Sequence, residues 1–388
     1  MHTSKQRHNF AEDITHTAEP SPLPPLLISN YTMDKQLRIW LFVLLGTLFT
    51  SSSLLAEGVI TMTTSKAIGE KILLGILAKG DIAIDGALET GKMNEDGFKF
   101  YTIKSQTITI RGDVTSLNCG DSELTSLNLS QNTVLTSLEC SYNQLTSLDV
   151  SKNTALTKLD CCCNQLTSLN VSKNTALTEL DCSENLLTSL DLSQHTALTE
   201  LDCSDNLLTS LDLSQHTALT KLWCQLNQLT SLNVSNTALT KLECSSNQLT
   251  SLNVSGCTAL TKLYCFSNQL TSLNVSRNRA LTTLSCGENQ LTSLDVSKNT
   301  ALEELYCSEN QLTSLNISGC ARLEALFCFS NCINGEAMTK LVNSLPNQRV
   351  MGYGTLSIVN RSSKKRDKNR CSAADVTTAK KKNWEVRQ

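Results

Sequence analysis

A cysteine recurs at a nearly constant interval through the middle of this 388-residue chain. Eleven cysteines follow one another at steps of 21 residues, with one step of 20: Cys119, Cys140, Cys161, Cys182, Cys203, Cys224, Cys244, Cys265, Cys286, Cys307 and Cys328. Each of them closes a short apolar segment, and from Cys140 onward each is followed at a fixed offset by an asparagine, as Cys203 is followed by Asn206. A period this regular excludes a chance origin. It predicts a stack of similar coils, each of which needs neighbours to bury its apolar face.

The segment Leu198–Leu208 shows what each position does. Its order, Leu-Thr-Glu-Leu-Asp-Cys-Ser-Asp-Asn-Leu-Leu, matches the leucine-rich-repeat pattern with Cys in the third apolar slot. We predict a short strand whose inward Cys acts as a small buried hydrophobe, with free thiols favoured over bridges between coils. The recurring Asn is expected to pair with backbone groups at the bend. The second half of each coil, such as 208–214, has the same spacing and predicts a second extended segment.

These patterns predict a β-rich leucine-rich-repeat solenoid of eleven coils over residues 114–333, with a parallel sheet and few helices. A β-rich N-terminal cap over 57–113 and an α/β C-terminal cap with a basic tail over 334–388 are expected to cover its ends. The predicted strands of the N-terminal cap are Val59–Met62, Ile72–Ile76 and Thr107–Ile110. In the C-terminal cap we predict the strands Thr355–Val359 and Trp384–Val386 and two helices: Glu336–Asn343, and one that begins at the capping box Ser372-x-x-Asp375.

The start of the chain has a different composition from the repeats. Residues 1–32 hold four of the five prolines and show no periodicity, so we predict a disordered extension, with Met33 as a possible true start. Residues 33–56 combine a basic start, an apolar run over 39–49 and a small residue, Ala56, before an acidic one. This pattern is typical of a secretory signal peptide cleaved after Ala56. The alternative is an uncleaved membrane anchor formed by 39–56.

The candidate catalytic residue types follow the repeat and form no separate set. His195 and His216 occupy equivalent places where other coils have Asn, so we interpret them as substitutions of that Asn. Ser and Asp are abundant because the repeat specifies them, and no glycine-rich phosphate loop is present. We therefore predict that the protein is not an enzyme and uses no cofactor and no metal. Cys162 and Cys163 leave a redox or metal role open, although thiolate sites usually need further ligands.

The outward positions of the first strand differ along the array. Early coils carry an acidic row and later coils carry aromatic residues, which are rare in this chain and are enriched at binding interfaces. Phe327 and Phe329 are expected to be covered by the C-terminal segment. The candidate ligand-binding residues are Glu139, Asp160, Asp181, Asp202, Trp223, Tyr264, Phe266 and Tyr306. The alternative for the acidic row is a charged face that contacts only solvent and binds no ligand.

The coil Leu-x-x-Leu-x-Cys-x-x-Asn-Gln-Leu-Thr-Ser-Leu-Asn/Asp-Val-Ser resembles internalin J and related leucine-rich surface proteins of anaerobic bacteria, over Val114–Ile333. The resemblance implies an exported adhesin, secreted or at the cell surface, with a protein or glycan ligand on a host or bacterial surface. It implies no nucleic-acid partner and no stable membrane span once the signal peptide is removed. The competing hypothesis is a structural, self-associating scaffold of a surface layer or biofilm matrix.

Overall fold

The computed structural model describes residues 58–91, 94, 97–234, 238–348, 354–359 and 367–387. The predicted extension over 1–32 and the predicted signal peptide or anchor over 33–56 lie outside the described residues. Within the described part, the chain folds into 20 strands and two helices. This β-rich architecture with few helices is the fold class that the repeat pattern predicts.

Six strands form the N-terminal part of the sheet: β1 Val59–Thr64, β2 Lys71–Asp85, β3 Ala87–Glu89, β4 Phe98–Ile103, β5 Thr107–Asn118 and β6 Leu124–Asn128. β1 pairs antiparallel with β5 and β6, and β2 pairs antiparallel with β4 and β5. Successive residues of a strand face opposite sides, so Ile60, Met62, Ile108 and Ile110 are all fully buried. The three strands predicted in this segment are confirmed.

Each later coil contributes one three-residue strand to a parallel sheet: β7 Ser137–Glu139, β8 Lys158–Asp160, β9 Glu179–Asp181, β10 Glu200–Asp202, β11 Lys221–Trp223, β12 Lys241–Glu243, β13 Lys262–Tyr264, β14 Thr283–Ser285, β16 Glu304–Tyr306 and β18 Ala325–Phe327. The strands pair in register, as Leu159 opposes Leu180. The end of β5 pairs with β7 in the same way and supplies the first of the eleven coils. Coils of equal length superpose, so equivalent residues form continuous rows along the sheet.

The second half of each coil forms a less continuous sheet than the first. β15 Leu294–Asp295 pairs parallel with β17 Leu315–Asn316, while single bridges occur in other coils, as between Asp212 and Asn233. The Asp or Asn at this position also accepts a local bond, since Ser214 N donates to Asp212 Oδ1 at 2.9 Å. Such local turns compete with ladder pairing. The predicted second extended segment is therefore confirmed only in part.

The eleven regularly spaced cysteines form a column through the core. Each is 0% exposed and belongs to the same buried cluster as the leucines. Burial disfavours the charged thiolate, and it raises the pKa of Cys119, Cys286 and Cys328 to about 12. All 17 cysteines are free thiols in this structure. The prediction that the regularly spaced cysteines act as buried hydrophobes is confirmed.

The asparagine after each cysteine binds the backbone of two coils. Asn206 Nδ2 donates to the carbonyls of Cys182, Cys203 and Ser204 at 3.0, 3.3 and 3.0 Å, while its Oδ1 accepts from Leu187 N at 2.9 Å. The side chain thereby pairs backbone groups that the bend would otherwise leave unsatisfied. The predicted structural role of this asparagine ladder is confirmed.

A second row of polar residues serves the opposite bend. Asn174 Nδ2 donates to Val150 O at 3.0 Å, and His195 Nε2 lies 3.0 Å from the equivalent carbonyl of Val171. In a later coil, Cys257 Sγ lies 3.1 Å from Val234 O. The interpretation of His195 as a substitute for Asn is confirmed, because its ring contacts the carbonyl that the amide contacts in the neighbouring coil.

The chain after the last coil adds two helices and two strands: α1 Gly335–Ser344, β19 Gly354–Ser357, α2 Ala373–Lys381 and β20 Trp384–Arg387. β19 pairs parallel with β18 and β20, which extends the sheet beyond the repeats. Ser372 accepts a bond from Asp375 N at 3.1 Å, and its own N–H donates to the Asp375 carboxylate at 3.0 Å, so the predicted capping box is confirmed. No helix within the described segments has the length and apolar character needed to cross a membrane.

The asparagine ladder ends in a residue from outside the repeats. Asn369 Nδ2 donates to Cys328 O and Ile358 O, both at 2.8 Å, and its Oδ1 accepts from Ile333 N at 2.8 Å. These are the bonds that the next coil's asparagine would make. The C-terminal segment thus satisfies the backbone of the last coil, a role that the repeat period could not reveal.

Candidate functional site

Two rows of side chains flank the buried leucine of each strand in the parallel sheet, and together they form the first-strand face. The row after the leucine carries the predicted site residues and is half-buried throughout: Glu139, Asp160, Asp181, Asp202, Trp223, Glu243, Tyr264, Ser285, Tyr306 and Phe327. Strand register places each of these beside its neighbours, as Asp181 lies beside Asp160 and Asp202. Phe266, two residues after Tyr264, is 36% exposed.

The row before the leucine holds charged residues that the sequence analysis missed. Lys158 Nζ lies 2.7 Å from Glu139 Oε1, and Lys221 Nζ lies 2.7 Å from Glu200 Oε1. Lys241 Nζ sits 4.7 Å from the centre of the Trp223 ring, a cation–π contact. The alternation of a strand could have found this row, because residues on either side of an inward leucine both point outward.

Three of the predicted acidic residues come together in one depression, which we call the acidic depression. Its volume is about 270 Å³, and it is lined by Lys158, Leu159, Asp160, Glu179, Leu180, Asp181, Glu200, Asp202 and Trp223. Glu139 is not among its lining residues and instead pairs with Lys158 and with the Asn118 amide. Four of the eight predicted residues, Asp160, Asp181, Asp202 and Trp223, therefore share this site.

The acidic depression disfavours negative charge. Burial raises the pKa of Asp160 and of Asp202, and repulsion from the Asp181 carboxylate adds to both effects. The Ser204 hydroxyl, which donates to Asp202 Oδ1 at 2.6 Å, opposes the shift there. A cation or a basic side chain placed in this depression would relieve the repulsion between neighbouring carboxylates.

A thiol lies beside the first two aspartates of this acidic row. Asp160, Cys162 and Asp181 each offer one ligand atom, and these atoms all lie within 4.8 Å of one another. The neighbouring Cys163 is half-buried and has a positive φ of 54°, an arrangement that recurs just before the ladder asparagine in the following coils. Cys162 and Cys163 therefore face different surroundings although they are adjacent.

The predicted aromatic patch divides into two parts. Trp223 lies with the acidic depression, between Asp202 and Glu243 in the strand register, whereas Phe266 and Tyr306 line a second depression farther along. Tyr264 lies beside Ser285 in register and is not among the residues that line either depression. In the strand register Glu243 lies between Trp223 and Tyr264.

The second depression, which we call the aromatic depression, has a volume of about 330 Å³ and is lined by Phe266, Ser285, Gly287, Glu288, Tyr306, Ser308, Glu309, Phe327 and Phe329. One coil contributes only the small residues Ser285 and Gly287 at positions where neighbouring coils carry aromatic rings, and the space left above them forms the depression. The rings of Tyr306 and Phe327 stack with their centres 5.0 Å apart at 18°.

The two phenylalanines of the last coil also belong to this depression. Phe327 and Phe329 are half-buried and line it, and the expectation that the C-terminal segment covers them stays a prediction. That segment continues the sheet edge to edge through β19, whose Ser357 lies beside Phe327. The aromatic depression therefore combines four aromatic rings with two glutamates.

No protein-family model and no curated protein matches this chain. Several solved structures match this chain. The functional domain of InlJ from Listeria monocytogenes, which includes a cysteine ladder, is 30% identical, with 72% of this chain and 69% of that chain covered and a TM-score of 0.52. The internalin InlF of the same species is 21% identical over 70% of this chain and 86% of that chain, with a TM-score of 0.56.

A plant peptide-hormone receptor, RGFR1, solved in complex with RGF2, has the same kind of fold. It is 24% identical, with 66% of this chain and 44% of that chain covered and a TM-score of 0.55. Its likeness supports the leucine-rich-repeat fold alone. The first-strand face, with its acidic and aromatic depressions, is the part of this repeat surface that varies from coil to coil.

Proposed function

The chain belongs to the cysteine-ladder internalins, leucine-rich-repeat proteins of the kind that InlJ represents, and from this premise we propose that it is an exported adhesin. It binds a protein ligand on a host-cell or bacterial surface through its first-strand face. The observation that carries the proposal is the aromatic depression, which presents Phe266, Tyr306, Phe327 and Phe329 around a floor of small residues.

Aromatic side chains anchor protein interfaces because they bury a large area at little cost in conformational entropy. The stacked pair Tyr306–Phe327 holds two of these rings in place before any ligand arrives. Such preorganisation lowers the entropy that binding must overcome. The depression is therefore suited to one apolar or aromatic side chain of a partner, with Glu288 and Glu309 at its edge for a neighbouring polar or basic group.

The acidic depression supplies a second contact with different chemistry. Asp160, Asp181 and Asp202 stand beside Trp223, whose ring already holds the Lys241 ammonium 4.7 Å away. A ligand with a basic segment would meet the carboxylates here while its apolar anchor occupies the aromatic depression. Charge of this kind raises the association rate and selects among partners.

The test replaces two rings of the aromatic depression in the full chain, as Phe266→Ser with Tyr306→Ser. We expect binding to cells that display the ligand to fall at least about 30-fold, the loss typical of one interface anchor. The matched control is Phe100→Ser, which removes a ring that is 42% exposed on β4, outside the first-strand face. Equal binding by the double variant and the control would refute the proposed site.

The structural alternative predicts a different result from the same variants. A self-associating scaffold should lose its oligomers in sedimentation when Phe266 and Tyr306 are replaced, while an adhesin should sediment as before. Trp223→Ser tests the acidic depression separately, because Trp223 lines that depression and not the aromatic one. Loss of cell binding that enzymatic deglycosylation of the cells reproduces would identify a glycan as the ligand instead of a protein.

We infer that the regions flanking the repeats direct export and cover the two ends of the solenoid. Residues 33–56 act as a signal peptide that is cleaved after Ala56, residues 57–113 cap the first coil, and residues 334–388 cap the last. The Asn369 bonds to Cys328 and Ile333 support the last assignment. N-terminal sequencing of the exported protein should begin at Glu57, whereas retention of Met1 would refute cleavage.

A further inference from the structure

Cys162 occupies a position that other coils fill with a hydroxyl. Ser183 and Ser204 donate their hydroxyls to Asp181 and Asp202 of the same coil, each at 2.6 Å, and Ser245 donates to Glu243 at 2.6 Å. The coil of Asp160 has a thiol there instead, and Asp160 accepts the Cys162 backbone N–H at 3.1 Å. This coil therefore places a thiol, which can also ligate a metal ion, where the following coils have a hydroxyl.

The thiol is directed to a pair of carboxylates from two coils. Asp160 and Asp181 lie opposite each other in the register of β8 and β9, and their ligand atoms lie within 4.8 Å of each other and of Cys162 Sγ. Cys162 is only 9% exposed, whereas both aspartates are half-buried and line the acidic depression. The group thus has a shielded thiol and an open side through which an ion and its water could enter.

We propose that Asp160, Cys162 and Asp181 form a binding site for one borderline divalent cation of the Zn²⁺ class, with solvent water completing its coordination. One thiolate and two carboxylates are ligands that this class of ion accepts, and three protein ligands plus water is a recurrent open arrangement. Ligands in tetrahedral zinc sites lie roughly 3.3–3.8 Å apart. Side-chain rotations that move the donors together by about 1 Å complete the site.

The charge around the site favours such an ion. The acidic depression is lined by Asp160, Glu179, Asp181, Glu200 and Asp202, while its lining cation, Lys158, has its ammonium 2.7 Å from Glu139. Binding breaks the Sγ–H bond of Cys162 and releases that proton to solvent, leaving the electron pair on sulfur for the metal. The sequence alone leaves a metal role open at Cys162 but does not identify Asp160 and Asp181 as its partners, because the ligands come from two coils and resemble ordinary repeat residues.

The cation would join two consecutive coils at the start of the acidic depression. It would neutralise Asp160 and Asp181 and leave Asp202 beside Trp223 for a ligand. The site goes beyond the proposed adhesin function: the cation would occupy Asp160 and Asp181 of the acidic depression, whereas the aromatic depression that carries the adhesin proposal lies several coils away.

Calorimetric titration of the reduced full chain with ZnCl₂ tests the proposal. The wild type should bind one Zn²⁺ at this site, and Cys162→Ser should weaken that binding at least about tenfold. Replacement of Zn²⁺ by Co²⁺ should produce a sulfur-to-cobalt charge-transfer band that Cys162→Ser removes. Asp181→Asn should weaken binding while keeping the sulfur band detectable at saturating Co²⁺.

The chain supplies its own controls. Cys162→Ser installs the residue that Ser183 and Ser204 represent in the following coils, so its thermal unfolding should match the wild type. Cys163→Ser removes the adjacent, more exposed thiol and should leave Zn²⁺ affinity and the Co²⁺ band unchanged. The proposal is overturned if the wild type binds no Zn²⁺, if Cys162→Ser binds it as well as the wild type, or if Cys163→Ser abolishes the band.

Discussion

Removal of one ladder asparagine should destabilise the stack by an amount that the hydrogen bonds allow us to work out. In Asn206→Ala, Leu187 N–H loses its acceptor, which lies 2.9 Å away in a buried setting. An orphaned buried donor costs about 1–3 kcal/mol. The carbonyls that Asn206 contacts lose one donor each, but all retain another: Cys182 O keeps Asn185, Cys203 O keeps Asn227 and Ser204 O keeps the Glu184 N–H.

Each of these three weaker losses contributes about 0.5–1 kcal/mol. The expected fall in the free energy of unfolding is therefore about 2.5–6 kcal/mol, and the Leu187 N–H accounts for roughly half of it. Urea unfolding of the full chain measures the total, and hydrogen exchange should show the Leu187 amide losing protection before amides in distant coils. The control is Gln228→Ala, at an exposed position of the next coil, for which we expect a change within about 0.5 kcal/mol.

The reasoning would be wrong if Asn206→Ala lowered the free energy of unfolding by less than about 1 kcal/mol. It would also be wrong if the Leu187 amide kept its protection, because the argument depends on that donor being left without a partner. A loss of similar size in Gln228→Ala would show that any change in these bends is costly.

Two further predictions follow from the buried titratable groups. Burial lowers the pKa of His216 in the folded protein below its usual 6.5. As the pH falls, the unfolded chain therefore binds a proton at this histidine before the folded protein does. The contribution of neutral His216 to the free energy of unfolding is fully present above pH 6.5 and decreases as the pH falls below it. His216→Asn should therefore lose less thermal stability than the wild type between pH ~7.5 and ~5, and equal losses would contradict the assignment. In the native protein, Ellman's reagent should modify only the half-buried Cys163, Cys332 and Cys371. Its reaction with Cys371 should be slow, because burial raises the pKa of that thiol to about 11. The ladder thiols should react only after denaturation, and fast reaction of Cys203 would show that the coils open.

The period of the chain was sufficient to predict the coil. A repeat of constant length can bury its apolar residues only by stacking identical turns, so the position of each Leu, Cys and Asn within the coil follows from its place in the period. The inward ladder of Cys119 to Cys328, the bonding role of Asn206 and the substitution of His195 for Asn were all accessible in this way. Three of the six N-terminal strands, and the helices and strands after the last coil, were also accessible, because each has its own local pattern.

The site was only partly accessible from the sequence. The eight candidate residues lie on or beside the outward row; six of them line the two depressions, and Glu139 and Tyr264 line neither. Trp223 belongs with the carboxylates because Lys241 and Glu243 occupy the next strand. The row that contains Lys158 and Lys221 was missed, although the same alternation predicts it.

Only the tertiary structure could decide which side chains meet across coils. Asn369 satisfies the last coil from 41 residues away, Cys162 reaches Asp181 of the next coil, and Ser285 and Gly287 become the floor of a depression because larger rings stand on either side. The period fixes where each Cα lies, since coils of equal length superpose. The length, charge and rotamer of each neighbour then determine whether adjacent side chains pair, repel or leave a space, and these contacts are where the coils of this protein differ.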